Sequence, residues 1–176
     1  VGRMVKARKA MVGFVQDPDA DRLALIDEHG DCIGEEYTLA LAVWYMQGVR
    51  PGPVATNLST SRMVDDIAAR FGQRVVRTPV GEAHVARAVL AETCTLGGEG
   101  NGGVIYPDVV PVRDSLSGMA LILQLLAKTG RSLAQLVEEL PRYHMIKTKI
   151  ACSAETARAL AARLAAKFPG QPVNTA

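Results

Sequence analysis

The chain has 176 residues, 48% of them hydrophobic and 22% charged, with a formal net charge of +2. That length can bury one good core, or one core and part of another. The near-neutral balance gives no reason to expect nucleic acid as a partner. No signal peptide is visible, and no apolar run is long enough to span a membrane. Cys32, Cys94 and Cys152 are far apart and form no CxxC pair, which fits reduced thiols in a cytoplasmic protein better than disulfides or a zinc site.

The opening segment is crowded with Arg3, Lys6, Arg8 and Lys9 and begins with Val1. The chain stops soon after a turn-like Pro-Gly-Gln-Pro, and both ends read as edges of a larger protein. Met11-Val12-Gly13-Phe14-Val15 and Leu23-Ala24-Leu25-Ile26 read as short strands. Between them lies Asp17-Pro18-Asp19-Ala20-Asp21-Arg22, three carboxylates at alternate positions followed by a guanidinium. Hard oxygen ligands converging in a tight turn suit Mg²⁺, and the arginine offers a fork of donors to a phosphate. An acidic surface turn is the plainer reading. An EF-hand is excluded, because its sixth position needs Gly where this chain has Arg22, and because strands flank the loop.

Alternation of helix and strand follows. Tyr37 to Gln47 is helix-like and ends at Gly48; Val54 to Leu58 is β-branched and short. Ser59 or Thr60 is expected to cap a helix running to about Arg70 and closed by Gly72. Hydroxyls at that helix start could also favour an anion, but capping alone explains them. Arg74 to Arg77 reads as a strand, Thr78-Pro79-Val80-Gly81 as a turn, and Glu82 to Ala91 as a helix in which His84 is a solvated or packing residue. Five glycines fall within Gly97-Gly98-Glu99-Gly100-Asn101-Gly102-Gly103, leaving only Glu99 and Asn101 with side chains. We read it as a ligand loop, its carboxylate and amide suited to sugar hydroxyls, rather than a flexible linker. It lacks the spacing and the closing Lys-Ser or Lys-Thr of a P-loop. Arg113-Asp114 combines a helix cap with a loop-fixing charge, and a helix runs from Asp114 to about Lys128. Leu133 to Leu140 is a short helix, Met145 to Cys152 a candidate strand, and Ala154 to Lys167 an alanine-rich helix. Trp44 sits mid-helix and reads as core. The pattern predicts an α/β fold, a layered mixed or parallel sheet with flanking helices.

The acidic turn, Thr78-Pro79-Val80-Gly81-Glu82 and the glycine loop occur together and in this order, and in that they resemble the α-D-phosphohexomutases. That family includes phosphoglucomutase, phosphomannomutase and phosphoglucosamine mutase, and the resemblance covers nearly the whole chain. It implies four domains around a cleft, with residues 1–22 ending domain two, 23–140 forming domain three, and 141–176 a linker and the start of domain four. It further implies Asp17, Asp19 and Asp21 as Mg²⁺ ligands and Arg22 beside a phosphorylated serine. Glu99 and Asn101, with Gly98, Gly103 and Gly81, would contact a hexose phosphate. The implied reaction moves phosphate between the 1- and 6-positions of a hexose through a phosphoserine and a bisphosphate intermediate, with hexose 1,6-bisphosphate as activator. The partners implied are the substrate and the remaining domains of the same polypeptide.

Departures matter. The family usually has Ser where Asn101 stands, often His at Gly103, and commonly Lys or Arg where Ala83 stands. None of Ser59, Ser61, Ser115 or Ser117 matches the phosphoserine motif, so the chain alone is expected to be inactive. The alternative is a non-catalytic sugar-phosphate-binding module.

Overall fold

The computed structural model describes residues 1–146, 148 and 151–167. The chain forms two compact units, one of Val1–His144 and one that begins at Met145. The first opens with helix α1 (Gly2–Arg8), which the basic opening segment did not announce and which buries only Val5. Strands β1 (Gly13–Gln16) and β2 (Leu23–Ile26) then form an antiparallel hairpin, with Gln16 opposite Leu23. The acidic stretch is its turn. The hairpin straddles the 22/23 division drawn from the sequence.

Helix α2 (Glu36–Gln47) is apolar all round, and Leu39, Ala40, Leu41, Ala42 and Val43 are completely buried. A helix of that composition must be enclosed by neighbours. It packs against α3 (Met63–Arg70), α5 (Ser115–Thr129) and the main sheet. That sheet has the order β4-β3-β5-β6, from β3 (Val54–Asn57), β4 (Val75–Thr78), β5 (Leu96–Glu99) and β6 (Gly103–Ile105). β3 is parallel to β4 and β5, joined by helical crossovers through α3 and α4 (Glu82–Ala91), whereas β5 and β6 are antiparallel. The sheet is therefore mixed, as expected.

Side-chain alternation builds the layers. Val54 and Val104 face the large core with α2, α3 and α5, while Ala55 and Ile105 face a smaller one with Val85 and Val89 of α4. Trp44 is half-buried against the large core, as its mid-helix place suggested. Helix α6 (Leu133–Glu138) starts with a capping box in which Ser132 and Gln135 exchange bonds. In the second unit, helix α7 (Ala154–Lys167) leaves Leu160 and Leu164 partly exposed.

Three expectations change. The stretch Gly97–Gly103 is a β-hairpin with residues 100–102 as its turn, not a loop. Glycine carries no strand signature, yet these glycines let neighbours close in: a Cβ on Gly97 would lie 2.3 Å from Val89 Cγ2. Neither Ser59 nor Thr60 caps α3, because both hydroxyls donate to Asn57 Oδ1; Ser61 Oγ instead accepts the Met63 N–H at 3.2 Å. Of the strand expected over 145–152, residues 147, 149 and 150 lie outside the described residues, and the others show no strand. Among the described residues no helix is long and apolar enough to cross a membrane.

Because Leu41 is completely buried in the central helix, Leu41→Ala should cost about 2–5 kcal/mol. Urea unfolding of the chain checks this, and a loss below about 1 kcal/mol would contradict such an enclosed α2.

Candidate functional site

The acidic turn is shaped by its own first residue. Asp17 Oδ1 accepts the N–H groups of Asp21 and Arg22, both at 3.2 Å, and Ala20 takes a left-handed φ of 58°. This leaves Asp19 exposed at the tip and turns Asp17 and Asp21 toward each other. Burial pushes the Asp21 carboxyl up, and its hydrogen bond with the Asp17 carboxyl adds to that, against the pull of Arg113 and Arg22. Burial also raises Asp17, but the Arg22 N–H and its bonds with Asp21 bring it below the usual carboxylate range. Arg22 Nε stands 3.7 Å from both carboxylates. The three carboxylates do not converge on one point here: Asp17 spends one oxygen on backbone bonds and Asp19 stands exposed at the tip. Among the described residues no group of three or more His, Cys, Asp or Glu side chains stands where it could hold a metal. Still, Asp21 Oδ1 is buried without a hydrogen-bond partner. Two hard carboxylates with an unsatisfied oxygen suit Mg²⁺, which takes one or two protein carboxylates and completes its shell with water and phosphate.

The turn is fixed from both sides. The Leu23 N–H donates to Gly102 O at 3.1 Å, and the Ser115 hydroxyl, at the start of α5, donates to Ala20 O at 2.6 Å. Gly102 has φ +90°, and a Cβ there would lie 2.5 Å from Leu23 O. Only glycine lets the β5–β6 turn reach the acidic turn this closely. Asp17 and Arg22 share a cleft of about 190 Å³ with Asn101 and Glu35.

Glu99 is 4% exposed and held by three side-chain donors. Asn57 Nδ2 donates to its Oε1, and Arg113 Nη1 donates to its Oε2 at 2.8 Å, with Asn101 Nδ2 at 3.5 Å. Asn101 Oδ1 in turn accepts the Gly103 N–H at 3.2 Å. Gly98 is buried in β5, where its carbonyl accepts the Thr56 hydroxyl at 2.8 Å. Gly81, φ 128°, precedes α4 and is half-buried. Next to it Glu82 Oε1 accepts the Arg113 N–H at 2.7 Å. His84 is exposed beside Arg87, as a solvated helix residue should be.

Arg113 is the residue the sequence reading undervalued. Its side chain is 11% exposed and touches three carboxylates: Asp21 through Nη2, Glu99 through Nη1 and Glu82 at 3.4 Å. It joins the acidic turn, the glycine hairpin and the turn before α4. The signal available was a single arginine just before a helix cap, with no acidic partner near it except the cap itself. Glu36 was also passed over: its Oε2 accepts the Ser61 N–H at 3.0 Å and sits where a Cβ on Gly100 would fall. Asn57 was read as part of a short strand and Thr60 as a helix cap or anion contact, yet Thr60 Oγ1 accepts the Gly100 N–H at 2.9 Å and helps hold the hairpin turn.

Asp114, next to Arg113, caps α5 by accepting the N–H groups of Leu116 and Ser117. Burial raises its carboxyl, but hydrogen bonds from Ser117 and Leu116 outweigh that and leave it lowered. A lowered folded value means stability present above the unfolded pKa, near 3.9, and lost as pH falls through the folded one. Asp114→Ala should therefore cost about 1 kcal/mol at neutral pH. The difference should shrink in strong acid. Unfolding titrations at several pH values test it, and a constant difference would contradict an ionised cap.

Comparison with known proteins follows the same outline. A family model described as phosphoglucomutase/phosphomannomutase, alpha/beta/alpha domain III, matches residues 34–143. A phosphoglucomutase/phosphomannomutase of Thermococcus kodakarensis is 46% identical over 149 residues, covering 83% of this chain and 32% of that protein. A phosphoglucosamine/phosphogalactosamine mutase of Sulfurisphaera tokodaii is 33% identical, covering 84% of this chain and 33% of its own length. The crystal structure of a phosphoglucomutase/phosphomannomutase family protein from Burkholderia thailandensis superposes with a TM-score of 0.72 at 25% identity, covering 81% of this chain and 31% of that one. The chain thus spans about a third of the length of the relatives it matches. With its domain-III layers and its motifs in family order, the chain belongs to the α-D-phosphohexomutases.

Proposed function

We propose that this chain supplies the metal turn and the sugar-recognition hairpin of a phosphohexose mutase, an intramolecular phosphotransferase. The substrate class is a hexose phosphate, with glucosamine, glucose and mannose phosphates the candidates. One observation carries the reading: the acidic turn and the Glu99 hairpin meet through Leu23–Gly102 and through Arg113, and Asp17, Arg22 and Asn101 of these two elements line one cleft. Phosphoryl transfer depends on positioning and on neutralising charge, and both elements serve that.

Asp17 and Asp21 would hold Mg²⁺, with Asp19 completing the set if the turn tip folds inward on the ion. The ion would neutralise phosphoryl oxygens during transfer. Arg22 is half-exposed and lines the cleft; it would receive the phosphate of a phosphoserine carried on another part of the polypeptide. Asn101 faces the same cleft and would bond a ring hydroxyl. Glu99, buried behind it, accepts from Asn57 and Arg113. A carboxylate has lone pairs for further donors, so a sugar hydroxyl could join it once the hairpin turn opens slightly. Gly98 and Gly103 would contribute close backbone approach, and Gly81 would place the turn that faces the substrate. The chain alone, without a matching phosphoacceptor serine, would not turn over. Residues 141–176 would lead toward a further domain.

A non-catalytic sugar-phosphate module is the second reading. Ala83 favours it, because the family's usual cation is missing there. Full-length protein assayed with Mg²⁺ after priming by hexose 1,6-bisphosphate separates the two. Mutase activity on one of the three sugars supports the enzyme; a folded protein that binds hexose phosphate without turnover supports the module. In the enzyme, Glu99→Gln should lower kcat/KM about 10- to 100-fold, the worth of a hydrogen bond to a charged group. Unchanged kinetics on every hexose phosphate would remove Glu99 from the sugar site.

A further inference from the structure

We infer that Arg113 is a positioning residue that links the metal turn to the sugar hairpin, one guanidinium serving as shared counter-ion to Asp21 and Glu99. The inference rests on the proposed metal turn. Its basis is geometric. Arg113 Nη2 pairs with Asp21 Oδ2 and Nη1 with Glu99 Oε2 at 2.8 Å, while its main-chain N–H is pinned by Glu82 at 2.7 Å. The backbone is held and the fork can redistribute. A single ammonium could not reach both partners, whereas the planar fork of arginine does.

Two unsatisfied atoms mark this arrangement as poised. Arg113 Nε and Asp21 Oδ1 are both buried without hydrogen-bond partners, the oxygen having only the Arg22 guanidinium at 3.7 Å as a looser ion pair. Leaving such groups unpaired costs free energy, and a cation on Asp21 together with a ligand oxygen on Nε would satisfy both. The chain also makes room for this residue: a Cβ on Gly103 would lie 2.3 Å from Arg113 Cδ. Glycine at 103 and arginine at 113 are thus one structural choice. The guanidinium lies beside Glu82, one residue before Ala83, so it brings positive charge to the turn that has no cation of its own.

If Asp21 and Glu99 share one guanidinium, drawing one of them to a ligand hands Arg113 more fully to the other. Metal and sugar sites are then coupled, and coupling of this kind is reciprocal. Calorimetric Mn²⁺ titration of the full-length protein, with no turnover required, reads it in a double-mutant cycle. Arg113→Gln should tighten Mn²⁺ binding about fivefold or more, because Asp21 loses its competing partner. Glu99→Gln should weaken Mn²⁺ binding about fivefold with Arg113 present, and less than about twofold in the Arg113→Gln background. Should Arg113→Gln fail to fold, Arg113→Lys keeps the charge while losing the bridge, and the Glu99→Gln effect should again fall below about twofold in that background. An equal Glu99 effect in both backgrounds, or unchanged Mn²⁺ affinity in the Arg113 variant, overturns the linkage alone. No Mn²⁺ binding by the wild-type protein overturns the metal turn and this inference with it.

Discussion

The buried guanidinium of Arg113 holds together segments that are otherwise separate in sequence. Asp21 belongs to a two-stranded hairpin, Glu99 to the main sheet and Glu82 to the start of α4, and each gives this arginine a carboxylate. At 11% exposure the side chain has little water to screen it, so these pairs are stronger than surface ion pairs and are costly to break singly. Truncating one member of such a buried set typically costs about 3–5 kcal/mol. The position of the acidic turn relative to the glycine hairpin follows from that constraint, and the cleft they share is its consequence.

The main sheet prepares the ground. Parallel strands β3, β4 and β5 end on the same side, where α/β folds commonly gather ligand-binding groups. Asn57 at the end of β3, Thr78 at the end of β4 and Glu99 at the end of β5 are all buried polar residues on that side. Arg77 closes the β3–α3 connection, donating to the carbonyls of Asn57, Thr60 and Ser61 while pairing with Asp65. A rigid polar rim results, and the reversal at β5–β6 sends its turn toward the acidic loop. The opposite end of the sheet carries Cys94, whose thiol burial pushes up to about 11 and so keeps protonated and unreactive at neutral pH.

Helices and strands were legible because they carry period and punctuation. Leu23–Ile26 and Val54–Asn57 are largely β-branched or aliphatic runs, Gly72 takes the left-handed φ that follows a helix end, and Asp114 supplies a side-chain cap. The glycine stretch was read as a loop and not as a strand, since glycine has neither side chain nor β-propensity to betray its pairing. The acidic turn was legible as a motif, yet its geometry was not: that Asp17 would spend an oxygen on the Asp21 and Arg22 amides depends on the left-handed Ala20. Arg113 was the hardest to see. Its partners lie far away along the chain, and nothing local distinguishes a loop-fixing arginine from one that organises a site.

In the proposed function the acidic turn and the glycine hairpin act on one ligand. A crystal structure of the full-length protein with Mg²⁺ and a hexose phosphate would test this most directly. Metal density bound by Asp17 and Asp21, the phosphate near Arg22, and sugar hydroxyls within hydrogen-bond reach of Asn101 and Glu99 are the expected result. A hexose phosphate bound elsewhere, with Arg113 still closed on Asp21 and Glu99 and no metal in the turn, would contradict it.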